Sequence, residues 1–205
     1  ETAIVFASGW SGRAEAGLAG DDRFSIKVSA DGSAWRTALS VDAVTGFVGV
    51  GQAAPVAPLD VAHATSTPVL RVFRTAEDNS PSSVSVIRAR GTAAAPAPIK
   101  AGDRFFAFFG QGWTTGGASG GNAVGFLAVA EEDFAPTAMG TAINFETCPK
   151  GGAARRAIVR FRANGTLHLT PIAAAPAEPE AGQLYFDQTT GKFRGWTGTA
   201  WADLN

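Results

Sequence analysis

Glycine breaks this chain so often that no apolar run reaches the length of a core helix: 25 of the 205 residues are glycine. The runs between glycine-rich turns, at 105–110, 123–131, 141–146 and 157–161, are each the length of a strand. Residues 2–7 form a further apolar run. Residues 24–29 alternate, with Phe24, Ile26 and Val28 on one face and Ser25, Lys27 and Ser29 on the other. Asp31-Gly32 then turns the chain toward residues 35–41, and Asn164-Gly165 repeats the signal later. Such pairs mark hairpins because the turn needs φ > 0, which glycine adopts without steric cost. The expected class is all-β, built from small β-sandwich and β-meander units.

A chain of this length holds one large β-domain or two to three small ones. Its net charge of -1 and its 17% of charged residues offer no electrostatic match to nucleic acid. The densest basic group, Arg155, Arg156, Arg160 and Arg162, divides between two strand faces. The single cysteine, Cys148, leaves no intrachain disulfide and fits folding in a cytoplasm. No apolar run approaches the ~20 residues of a membrane helix. No leader opens the sequence as given, and a start at Glu1 reads as a fragment of something longer.

Punctuation divides the chain into an N-terminal β unit at 1–48, a neck at 49–68 and a main β unit at 69–170. A linker at 171–181 and a C-terminal β-meander cap at 182–205 follow. Pro55 and Pro58 deny ladder donors in the neck. Strands are expected at 69–73 and 84–90, and an Ala/Pro-rich hinge at 92–100. Small residues are abundant and long aliphatics modest. A single copy therefore builds a thin core, which association with further copies would complete.

Catalytic chemistry is poorly served. Glu131, Glu132 and Asp133 are carboxylates of the type a glycosidase pairs, but three adjacent acids at a strand end point to alternate faces and also read as a solvated loop. His63 and His168 have no Cys or His at ligand spacing, so no metal site is expected from one chain. His168 leaves open a ring of identical side chains on a symmetry axis. Cys148 precedes a proline and reads as structural. No nucleophile elbow, P-loop or dinucleotide fingerprint occurs, and no cofactor is expected. Five tryptophans lie near glycine turns. Trp10, Trp35, Trp196 and Trp201 read as caps over thin cores. Trp113 sits in a long polar loop and is the best carbohydrate platform, with Asn122, Glu131, Glu132 and Asp133 as hydrogen-bonding partners.

Several phrases recur in one order. Arg88, Arg90, Gly91 and Thr92 precede an Ala/Pro linker and then Gly102-Asp103. After a strand come Gly110, Gly112 and Trp113, and later Arg156, Ile158 and Gly165. This order resembles a distal domain of bacteriophage tail fibres and receptor-binding fibres. Residues 46–61 follow a fibre phrase G-x-V-G-I-G-T with a Pro-bearing crossover, Gln52 standing where Thr is usual. Residues 6–39 resemble a segment of alphaproteobacterial phage-like proteins, including fibre or head-spike components of gene transfer agents. Residues 182–204 resemble a small C-terminal cap of fibre proteins.

The resemblance implies an intertwined parallel homotrimer strung along a fibre on a virion or virus-like particle. It implies a non-enzymatic receptor-binding adhesin for host cell-surface polysaccharide, joined to other particle structural proteins through what precedes residue 1. Synthesis in the host cytoplasm and release by lysis go with that reading. The alternatives are a structural spacer and, third, a glycan depolymerase.

Overall fold

A computed structural model describes residues 2–63, 70–118 and 121–204. The chain is all-β, as the run lengths predict, and no helix occurs among the described residues. It divides between Ser83 and Val84 into two compact units.

The first unit is one six-stranded sheet, in chain order: β1 (Thr2–Ser8), β2 (Ser11–Leu18), β3 (Phe24–Ser29), β4 (Trp35–Val41), β5 (Val48–Val50) and β6 (Leu59–Val61). Neighbours are antiparallel except β5–β6, where the Pro-bearing crossover makes a parallel pair. At the Asp31-Gly32 turn, Asp31 Oδ1 accepts from the Ser33 and Ala34 amides at 2.8 and 2.9 Å, and Gly32 has φ 86°. β2 was not legible in the sequence. Its S-G-R-A-E-A-G-L has no β-branched residue, and it is a strand because β1 and β3 pair with it on both sides.

The second unit opens with the short pair β7 (Arg90–Gly91) and β8 (Pro96–Ala97). Then come β9 (Arg104–Gly110), the small hairpin β10 (Trp113–Thr114) and β11 (Gly117–Ala118), β12 (Val124–Ala130), β13 (Thr141–Thr147), β14 (Arg156–Phe161) and β15 (Leu167–Leu169). A sheet forms in the order β15-β14-β13-β12-β9. The meander is β16 (Leu184–Asp187), β17 (Lys192–Trp196) and β18 (Trp201–Asp203). Of the expected strands at 69–73 and 84–90, Val69 lies outside the described residues. Among the described residues, 70–88 make no ladder, while Arg90 and Gly91 pair with β8. The whole stretch from 70 to 98 is exposed.

Both large sheets are open on their apolar face. In the first, registered partners line up Ile4, Ala16, Ile26, Leu39, Val50 and Val61 across all six strands. Ile26 is 38% exposed, whereas its neighbour Ser25 is 5% exposed. In the second, one row runs Phe108, Phe126, Phe145, Val159, Leu169 and the next Phe106, Ala128, Ile143, Phe161, Leu167. Edge-to-face contacts link the rings, at 5.2 Å for Phe126–Phe145 and 6.1 Å for Phe145–Phe161. On the opposite face Leu127 is wholly buried, with Ala142 and Glu146 close to it in burial. The chain exposes 14405 Å². A compact chain of 21.0 kDa would expose about 9,000 Å², and two separate compact bodies of that total mass about 11,000 Å².

The arginines of the R-A-R-G-T phrase have a structural use. Arg90 binds Asp103 through two bonds of 2.6 and 2.7 Å, Arg88 lies 3.1 Å from the same carboxylate, and the Lys100 amide donates to it at 2.9 Å. The phrase thus clamps the entering chain to the base of β9. Gly91 stands at φ 78°, where a Cβ would also meet the Ala95 carbonyl, so the tight return into β8 requires glycine there. Arg90, with smaller contributions from the Lys100 amide and Arg88, holds the Asp103 carboxyl well below the usual carboxylate range. A carboxyl harder to protonate folded than unfolded stabilises the fold above its ordinary value of about 4 and loses that contribution as pH falls toward the folded value. We expect Asp103→Asn to melt several degrees lower at neutral pH. It should also lose less stability than wild type between about pH 5 and pH 2, read by thermal melts across that range.

Candidate functional site

The expected carbohydrate residues fall into two groups. Trp113 opens β10 just beyond the end of β9 and is 85% exposed. Asn122 precedes β12 at the same end, half-buried, its carbonyl 3.5 Å from Arg155 Nη1. Glu131, Glu132 and Asp133 follow the opposite end of β12. Seven strand residues separate the groups, roughly 23 Å at the usual rise. The structure therefore places Trp113 and Asn122 at one end of β12 and the acids at the other.

Each acid already accepts bonds within the chain. Glu131 takes the Arg162 guanidinium and, at 2.9 Å, the Ala163 amide. Glu132 takes the Gly140 amide. Asp133 takes Lys100 Nζ at 2.9 Å and the Ala101 amide at 3.0 Å, and these hold its carboxyl below the ordinary range, the amide most of all. Glu131 also borders a concavity of about 240 Å³ whose other walls include Val129, Ala142, Asn144, Arg160 and Arg162. That concavity was not expected from the sequence. The register creates it: Leu127, Asn144, Arg160 and His168 pair successively across β12–β15 and so share a face.

The basic group divides between the two faces of the sheet, but through a bulge rather than through simple alternation. Arg155 bonds Glu146 at 2.7 Å and stacks over Phe109 at 4.3 Å. Arg160 and Arg162 lie on the concavity side. A bulge between the β13 and β14 partners places Arg156 on the other face, beside Thr147. His168 is half-buried, on the face opposite Leu167 and Leu169. Among the described residues no three His, Cys, Asp or Glu side chains gather to hold a metal ion.

The tryptophans behave differently from one another. Trp196 and Trp201 pack together in the meander, ring centres 5.4 Å apart, with Tyr185 edge-on to Trp201 at 4.7 Å. Trp10 caps nothing. It sits fully exposed at the β1–β2 tip with φ 65°, a left-handed conformation uncommon for a bulky residue. The Gly9-Trp10 spacing between registered Ser8 and Ser11 was the available sign of a two-residue hairpin.

No protein-family model matches the sequence, and no curated protein does. Solved structures do resemble it. The carboxy-terminal domain of the bacteriophage T5 L-shaped tail fibre, with its intra-molecular chaperone domain, aligns at a TM-score of 0.65 and 15% identity, over 89% of this chain. This chain spans 56% of the length of that one. A second structure of the T5 carboxy-terminal domain gives a TM-score of 0.62 at 14% identity, covering 100% of this chain and 85% of that one. At such identities the likeness establishes a fold, and the fold is the all-β one seen in the carboxy-terminal domain of a phage tail fibre.

Proposed function

We propose that this chain is the distal, receptor-binding part of a phage or gene-transfer-agent fibre or spike. It works as a non-enzymatic homotrimer that attaches particles to host cell-surface polysaccharide. One observation carries the assembly: one sheet face is buried, on Ser25, Ser29 and Ser40 in the first unit and on Leu127, Ala142 and Glu146 in the second, while a continuous apolar face stays open. Sheets that expose Phe24, Ile26, Phe108 and Phe145 need a second surface to cover them. The excess over a compact chain, roughly 3,000–5,000 Å² on the estimates above, is the scale of an obligate interface. The stretch 70–88 supports intertwining, because its backbone groups find no ladder among the described residues. The likeness to a tail-fibre domain supports the particle-surface setting.

Identical sites on a trimer bind a repeating glycan with avidity that one site lacks. The test is the mass in solution, followed by capture on whole cells with and without their capsule. A trimer whose capture disappears with the capsule supports the adhesin. A monomer that binds neither cell type would overturn it. Trp113→Ala is expected to leave the fold intact, since the side chain is 85% exposed, and to weaken capture several-fold if the β10–β11 tip meets the glycan. The second reading, a spacer, is favoured by the acids' internal bonds; it predicts a trimer that ignores both cell types.

A further inference from the structure

We propose that the concavity bordered by Glu131, Asn144, Arg160 and Arg162 is a binding site for one carboxylate-bearing sugar residue of an acidic glycan. The assignment rests on the adhesin reading and names its ligand class and location.

The observations converge on one face of the five-stranded sheet. Asn144 and Arg160 are registered partners, with His168 next in the same row. Asn144 and Arg160 line the concavity, and each has a buried side-chain atom, Oδ1 and Nε, with no hydrogen-bond partner among the described residues. Buried polar atoms are nearly always paired, and two such orphans on neighbouring strands of one concavity point to a partner from outside the chain. Arg160 also forms no ion pair among the described residues, whereas Arg162 beside it is neutralised by Glu131. The site therefore carries one uncompensated positive charge.

The shape fits the same ligand. A volume of about 240 Å³ equals the share of about eight waters, enough for a single sugar ring. Val129 and Ala142 give it an apolar wall for the C–H face of such a ring. A guanidinium offers paired N–H donors in the geometry of a carboxylate. The Asn144 amide can donate to or accept from hydroxyls once it rotates toward the opening, and Glu131 keeps lone pairs for another. The site lies on the face opposite the Phe108–Phe126–Phe145 row, so a trimer closed over that row leaves it in solvent.

The test measures binding of the whole chain to alginate, polygalacturonate and hyaluronate oligosaccharides, with neutral dextran and poly-glutamate as controls. We expect at least one acidic glycan to bind and dextran and poly-glutamate to fail. Arg160→Gln should weaken binding by about tenfold, the worth of a charge-assisted bond. Asn144→Asp should weaken it further by facing the ligand with a like charge. Both site variants are first checked by melting; if either unfolds, Arg160→Lys replaces it and should still lose most of the fork's contribution. Three acidic glycans that all fail, or variants that bind as wild type, would overturn the site. Equal binding of poly-glutamate would overturn the saccharide assignment. If capsule-dependent capture survives Arg160→Gln and Asn144→Asp, this site falls while the adhesin reading stands.

Discussion

Phe145→Glu is expected to yield a monomer, with the solution mass falling from three times the chain's 21.0 kDa to one. Phe145 lies in the central strand of its sheet, between Phe126 at 5.2 Å and Phe161 at 6.1 Å, and is 39% exposed in the single chain. In an isolated chain a glutamate there keeps access to water, so the fold tolerates it. In a trimer closed over that face the change occurs three times. Each copy forfeits about 2 kcal/mol of apolar burial, before the cost of drawing three carboxylates out of water. Sedimentation equilibrium separates the outcomes. A wild type that already sediments as a monomer would remove the shared-core reading, and a variant that remains trimeric would place the interface elsewhere.

Leu127→Ala acts through the other face and should behave oppositely: the surviving folded protein stays trimeric but melts earlier. Leu127 is wholly buried, flanked in register by Ala107 and Asn144. Removing it deletes burial and leaves a cavity, at a cost of about 3 kcal/mol. For a chain of this size that corresponds to roughly 6–12 °C in melting temperature. A calorimetric scan with a light-scattering mass at the same concentration checks both parts. A loss of trimer at temperatures where the variant is still folded would show that the two faces are not independent.

These two positions also mark what the sequence could and could not convey. Strand runs and turns were legible because each is local. Residues 24–29 and 35–41 are strands over those bounds, and Gly32, Gly165 and Gly191 take the positive φ their turns require. The alternation of Phe24, Ile26 and Val28 with Ser25, Lys27 and Ser29 was legible too, but not which face lies open. That depends on what covers the sheet, and a single chain's pattern does not contain it. Of the strands expected at 69–73 and 84–90, residues 70–73 and 84–88 have the residue types of a ladder but no ladder partner among the described residues. The candidate site was the least legible part. Glu131 was visible as an acid, but Asn144, Arg160 and His168 come from three strands and meet only through register. Trp113 and the acids looked neighbourly in sequence, yet the length of β12 holds them apart.

The Asp103 clamp bears on how such a chain carries load. Tension applied to the second unit through residue 83 would meet Arg88 and Arg90 before it met β9. β9 is an edge strand, the kind that force peels away one hydrogen bond at a time. With both guanidiniums fixed on a single carboxylate at its foot, the pull must break two ion pairs together before that unzipping can begin. The two arginines then serve as a strain relief at the point where an exposed segment joins the sheet.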